Sequence, residues 1–235
     1  METPEEYAIR YVNNTINSRN LFARYAQRSR FARMIRYLIP RLEMGKILDY
    51  GCGRSGILIK KLKQIMPIGG KVIGYDPRPI DNDLQIYSDY NDILKNAPYH
   101  TITICEVMEH LQWTEITKIL TRFEEILHPD GVVIVSVPIE VGPAVFLKIL
   151  KRINNKYDNC KYNILELIGT AIFGITAYRD KPDASVMPHK GFDFRHLIRF
   201  IKSKNWQVKI LSYSPLPLIH WYGNSQIFFQ MTKIK

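Results

Sequence analysis

The sequence predicts an α/β protein: a doubly wound, mostly parallel sheet with helices on both faces, a helical N-terminal cap and a helical insertion after the fifth strand. Three observations carry that expectation. Short β-branched runs alternate with amphipathic runs at the spacing of βαβ units. The first strand runs straight into a glycine turn that opens a helix. After Pro138 the alternation stops, and roughly fifty residues pass before it resumes, far beyond an ordinary connection.

The elements follow in order. Arg28 to Ile39 reads as an amphipathic helix with Phe31, Met34, Ile35 and Leu38 on one face and Arg30, Arg33 and Arg36 on the other; Pro40 ends it. Lys46 to Tyr50 (KILDY) is a first strand, and Ile57 to Met66 a helix stopped by Pro67 and Gly69-Gly70. Val72 to Tyr75, Leu84 to Tyr87 and His100 to Cys105 are the next three strands. Thr114 to Leu127 is a helix closed by Pro129-Asp130-Gly131, and Val132 to Val137 a fifth strand. Phe194 to Lys204 is a helix, and Gln207 to Ser212 and Ile227 to Met231 are the last strands. The expected organisation is a cap over 1–45 and a domain over 46–235, with the insertion at about 139–190.

Length and composition bound the function. The chain has 235 residues, 46% apolar and 23% charged, which fits a globular protein able to bury a core unaided. No run approaches the about 20 apolar residues that cross a bilayer. The acidic opening METPEEYAIR is no signal peptide, and three scattered cysteines argue for a reducing, cytoplasmic setting. The net charge of +11 is the unusual feature. Residues 1–46 carry 9 basic and 4 acidic groups, 47–147 carry 9 and 13, and 148–235 carry 15 and 5. The surplus therefore lies in the flanks. It leaves an anionic membrane surface, an acidic substrate and nucleic acid open, in that order.

The chemistry begins at Asp49-Tyr-Gly51-Cys-Gly53-Arg-Ser-Gly56. Glycines allow a tight turn and close approach of a ligand to the backbone, and Asp76, ending the second strand, is placed to accept ribose hydroxyls as in Rossmann-like dinucleotide folds. A carboxylate at Asp49 would repel a pyrophosphate. It would instead orient the ammonium of an amino-acid moiety, which favours S-adenosylmethionine over a nicotinamide cofactor.

Four blocks, ILDYGCGRSG (47–56), VIGYDP (72–77), CEVMEHL (105–111) and LHPDGVVIVSVP (127–138), resemble those of the class I S-adenosylmethionine-dependent methyltransferases in order and spacing. CEVMEHL is similar to the block after the fourth strand in small-molecule enzymes of the ubiquinone-pathway type. The resemblance implies that Asp49, Gly51, Cys52 and Gly53 line the methionine end of the cofactor. It implies that Asp76, followed by Pro77, holds the ribose, that Asp89 takes the adenine amino group with Tyr90 beside the ring, and that Glu106 lies near the reacting methyl.

Methyl transfer from a sulfonium draws mostly on proximity and alignment, and needs a base only where the acceptor must lose a proton. His110 is the first candidate base and His189 the second. The expected activity is transfer to a small, apolar or lipid-linked acceptor, with no metal. An alternative uses Glu106, Glu109, His110 and His189 as ligands of a divalent metal. That pattern resembles the small-RNA 3′-end 2′-O-methyltransferases, although no RNA-binding module or stacking platform is evident. A non-catalytic S-adenosylmethionine-binding protein is a third reading. Val141 to Tyr178, with the Arg-rich N-terminal helices, is expected to form a lid. Lys148, Lys151, Arg152, Lys156 and Lys161 would then lie against anionic headgroups, making the protein peripheral at the membrane.

Overall fold

A computed structural model describes residues 21–67, 70–79, 84–146, 148, 162–179 and 189–234. Residues 1–20 of the expected cap, Cys160, and the basic residues Lys151, Arg152, Lys156 and Lys161 lie outside the described residues. Seven strands form one sheet in the order β3-β2-β1-β4-β5-β7-β6. They are β1 (Ile47–Tyr50), β2 (Val72–Tyr75), β3 (Ile86–Tyr87), β4 (Tyr99–Cys105), β5 (Leu127–Pro138), β6 (Trp206–Ser214) and β7 (Gln226–Lys233). β1 runs parallel to β2 and β4, and β2 parallel to β3, whereas β6 and β7 are antiparallel. The expected doubly wound α/β sheet is present. The chain divides into two compact units, residues 1–105 with 122–134, and residues 106–121 with 135–235.

In the first unit every residue of β1 is buried, which is why the strand reads as an unbroken run rather than an alternation. Helix α1 (Leu21–Leu38) is longer than the periodicity predicts. Its buried stripe is Arg30, Met34 and Leu38, while Phe31 and Ile35 are half-buried. Arg30 was expected on the wet face. Its guanidinium lies 5.1 Å from the centroid of the Phe31 ring, a cation–π contact made by a buried arginine. Helix α2 (Ile57–Ile65) buries Leu58, Ile59 and Leu62. Helix α3 (Tyr90–Lys95) is absent from the sequence reading, because six residues are too short to show a period. Asp89 caps it, accepting from the Asn91 N–H.

Helix α4 (Trp113–Ile126) is followed at once by β5, so Pro129-Asp130-Gly131, expected to stand between helix and strand, falls inside the strand's span. There the Asp130 N–H donates to His128 Nδ1 at 3.2 Å, a local bond that does not end the extended chain. In the second unit, helix α5 (Ile164–Ala171) opens on a capping box between Asn163 and Glu166. Helix α6 (Phe194–Ser203) is capped by Asp193, buries Phe194, Leu197 and Ile201, and packs on β6. Ile227, Phe228, Phe229 and Met231 of β7 and Trp206 of β6 complete this core. No helix among the described residues is long and apolar enough to cross a membrane.

Candidate functional site

The glycine turn of the first unit begins where β1 ends. Gly51 and Cys52 donate their N–H groups to the Tyr75 carbonyl at 2.8 and 3.1 Å, tying the turn to the end of β2. Gly53 has φ +69°, and a Cβ added there would meet nothing within 4 Å, so the backbone faces open space. Gly56 has φ +52° and would bring a Cβ within 2.7 Å of Leu84 Cδ1, so only glycine starts α2 here without displacing β3's flank.

Two carboxylates flank this turn. Asp49 is 2% exposed and accepts from Thr103 Oγ1 at 2.7 Å. Burial pushes its carboxyl up to about 6, against the pull of the Thr103 hydroxyl and with a further push from the charge of Asp76. Asp76 Oδ1 accepts from the Arg78 N–H at 2.9 Å, and its own N–H donates to the Tyr87 carbonyl. Burial and the two carboxylates push the Cys52 thiol up, so it stays protonated at neutral pH.

The aromatic surroundings were not legible in the sequence. Tyr50 and Tyr75 rings stand 4.7 Å apart, and Phe123 meets Tyr50 edge-on at 5.1 Å. Arg122 donates to the Tyr50 hydroxyl at 3.0 Å, and its guanidinium lies 4.4 Å from the Tyr90 ring centroid. The Tyr90 hydroxyl donates to Glu125 Oε2 at 2.9 Å. One face of Tyr90 is thus covered by a cation, and an adenine stacked on it would have to take the other.

The second unit holds a separate cluster. Glu106, next in the chain after β4, has φ +55°, a left-handed backbone that costs a non-glycine residue about 1 kcal/mol or more. Its N–H donates to the Ser136 carbonyl at 3.0 Å, and the Ser136 hydroxyl stands 3.5 Å from Glu106 Oε1. A single turn, Met108–His110, then aims two side chains. Glu109 is wholly buried, with its Oε1 3.9 Å from His110 Nε2. The rings of His110 and His189 meet edge to face at 4.6 Å. Arg179 donates to the Glu109 carbonyl and its charge faces the Glu109 carboxylate, while burial lowers the Arg179 pKa.

Behind His189 lies Glu140, buried, with Oε1 3.7 Å from His189 Nδ1. Lys148 Nζ donates to the same oxygen at 2.9 Å and also to the carbonyls of Ile139 and Ser225. Lys148 was expected against lipid headgroups; the fold instead spends its ammonium on a buried carboxylate and two carbonyls. Donor atoms of Glu109, His110 and His189 all lie within 4.8 Å of one another. Ligands about 2.1 Å from one ion stand at most about 4.2 Å apart, so a small side-chain closure would let all three bind.

A family model described as a methyltransferase domain matches residues 22–162 of the chain. The chain belongs to this methyltransferase family. The class I S-adenosylmethionine-dependent enzyme expected from the four sequence blocks is met at the level of family, enzyme class and cofactor. Solved structures share the fold. A methyltransferase from Clostridium acetobutylicum matches with a TM-score of 0.57 at 10% identity, over 99% of this chain and 100% of the other. One from Archaeoglobus fulgidus matches with a TM-score of 0.55 at 16% identity, over 97% and 100%. Magnesium protoporphyrin IX methyltransferase from Synechocystis, solved with bound SAH, matches with a TM-score of 0.53 at 12% identity, over 97% and 100%. No curated protein sequence matches the chain significantly.

The methyltransferase's first unit suits the cofactor. The space over Gly53 is open, Asp49 offers a buried carboxylate that could face an ammonium, and Asp76 has a second carboxylate oxygen, beside the one that accepts from Arg78, that could accept from hydroxyls. The structure brings Asp49, Gly51, Cys52, Gly53, Asp76 and Pro77 around one turn. Asp89 is exposed and already accepts from the Asn91 N–H, which occupies its Oδ1. His110 and His189, some eighty residues apart in sequence, are brought into ring contact. Glu140 and Arg179 were missed, and Lys148 was given a different role. A signal existed for the first: Glu140 is the only acid between residues 131 and 157, set in an apolar run.

Proposed function

We propose that this methyltransferase transfers a methyl group to a small, apolar or lipid-linked acceptor, with His189 or His110 removing the acceptor proton. The observation that carries the base assignment is the pair of partly exposed imidazoles backed by two buried carboxylates. The cofactor supplies an electrophilic methyl on a sulfonium, an intrinsically good leaving group. Asp49 and Asp76 would hold its ammonium and ribose. A proton on His189 Nδ1 faces Glu140, which leaves Nε2 as the basic nitrogen. As the acceptor's bond to the methyl carbon formed, the carbon–sulfur bond would break and the sulfur would leave as a neutral thioether; the acceptor's proton would pass to that nitrogen, and Glu140 would stabilise the resulting imidazolium. Glu140 itself stays ionised, held by Lys148.

The test supplies methyl-labelled cofactor with a fractionated lipid and metabolite extract. Label entering the organic phase, and lost in His189→Asn, supports the reading. Label confined to polar products or macromolecules overturns the acceptor class.

A divalent cation is the second reading, favoured by the donor atoms of Glu109, His110 and His189 converging within 4.8 Å. The ion would hold and polarise acceptor oxygens. If the purified protein carries no stoichiometric divalent metal, and chelation leaves activity intact, this reading fails.

A further inference from the structure

Helix α5 is inside out for a protein surrounded only by water. Its polar and small residues face inward: Thr170 and Ala171 are buried, and Glu166 pairs with buried Lys190 at 3.1 Å. Ile164, Leu165 (81% exposed) and Ile168 face outward, while Leu167 is half-buried. The chain after it continues the pattern, with Phe173 (70%) and Ile175 exposed. A second segment joins it. The Tyr222 hydroxyl donates to the Ile172 carbonyl at 2.7 Å, and a Cβ on Gly174 would lie 3.1 Å from the Trp221 ring. That segment carries Leu218, fully exposed, and Ile219 between Pro217 and Trp221. Scattered apolar residues on a surface need no explanation, but a contiguous set of this size marks an interaction site.

We infer that this apolar face, formed by α5, residues 172–178 and the 216–222 loop, docks the enzyme on an anionic bilayer surface. Charge chooses the occupant. Residues 148–235 carry 15 basic and 5 acidic groups. The two acids among the described residues of this stretch, Glu166 and Asp193, are already paired with Lys190 and Arg195. Arg199, Lys202, Lys204 and Lys209 are exposed. Anionic lipid attracts such a surplus, and aliphatic side chains that project fully into solvent suit shallow insertion. Tyr178, Trp221 and Tyr222 border the apolar set, and aromatic rings of this kind favour the headgroup level. The face is also preorganised, by the Asn163–Glu166 capping box and the Arg195 guanidinium donating to the Gly174 carbonyl, so little ordering accompanies docking. This inference deepens the lipid-linked acceptor reading and rests on it for its biological purpose.

The test is co-sedimentation of the full chain with phosphatidylcholine vesicles, with and without phosphatidylglycerol, beside the variant Leu165→Asp/Phe173→Asp/Leu218→Asp. The expected result is salt-sensitive binding to the anionic vesicles, weakened by at least about tenfold in the variant. Unchanged melting and S-adenosylmethionine affinity would show that the variant is folded. Absence of vesicle binding by the parent, or equal binding by the variant, overturns the inference. A parent that is dimeric in solution, ignores vesicles and becomes monomeric on substitution assigns the face to a second copy and also overturns it. Cofactor binding and transfer to a soluble acceptor are read separately, so a failed membrane test leaves the acceptor test standing.

Discussion

Replacing Asp49 by Asn should make the free enzyme more stable at neutral pH and a poorer binder of its cofactor. Asp49 is 2% exposed, and its carboxyl titrates at about 6 in the folded chain against an ordinary 3.8. At about 1.36 kcal/mol per pH unit, that difference is worth about 3 kcal/mol. The folded state holds the proton more tightly than the unfolded one. Stability is therefore greatest below pH 3.8, falls as pH rises through the window from 3.8 to about 6, and stays lower by about 3 kcal/mol above it. Asn carries no charge at any pH, and its carbonyl still accepts from Thr103 Oγ1. Urea denaturation should thus show Asp49→Asn and parent alike near pH 4, and the variant ahead by up to about 3 kcal/mol at pH 8. Calorimetry should show the cofactor's affinity reduced about ten- to a hundredfold, the worth of a charged hydrogen bond. In the parent, affinity should rise with pH through about 6 if, as proposed, the cofactor's ammonium binds the ionised Asp49 carboxylate. A variant no more stable than the parent at pH 8, or one that binds the cofactor equally well, would refute the reasoning.

Three further outcomes follow from the two clusters. Asp76→Ala should weaken cofactor binding at least tenfold by calorimetry while leaving the melting temperature near that of the parent, because Asp76 is only half-buried and makes one turn bond. Glu106→Gly should abolish methyl transfer yet melt no lower than the parent, because the relief of about 1 kcal/mol at φ +55° offsets the extra flexibility of glycine; a marked drop in melting temperature would show that the backbone there is unstrained. Glu140→Gln should cost about 3 kcal/mol in urea denaturation by removing the counter-charge of the Lys148 ammonium, which keeps its two carbonyl partners, and Glu140→Gln/Lys148→Met should recover most of that stability without recovering kcat. If the double variant regains kcat as well, Glu140 has no part in positioning His189.

What could be read early was local. A β-branched run ending at glycines, an acid at the next strand's end and apolar residues three and four apart are all set by the backbone's own periods. They placed β1, β2, β4, α2, α4 and α6 within a few residues. Where the local signal is short it failed: α3 has six residues, too few to show a helical period, whereas the strand expected at 84–87 is formed at its end, Ile86–Tyr87. Arg30 also misled, since a charged residue at helical spacing marks a wet face unless a neighbouring ring takes its guanidinium.

The sequence by itself determined the family, the parallel sheet and the carboxylates on the cofactor turn, because each lies within a short stretch whose chemistry is self-contained. Only the tertiary structure decided which groups meet across long separations. It set Glu140 and Lys148 behind His189, brought His189 against His110, laid Arg122 over Tyr90, and turned the apolar side of α5 outward. Those pairings follow from how strands and helices pack, and packing depends on the whole core rather than on any one segment.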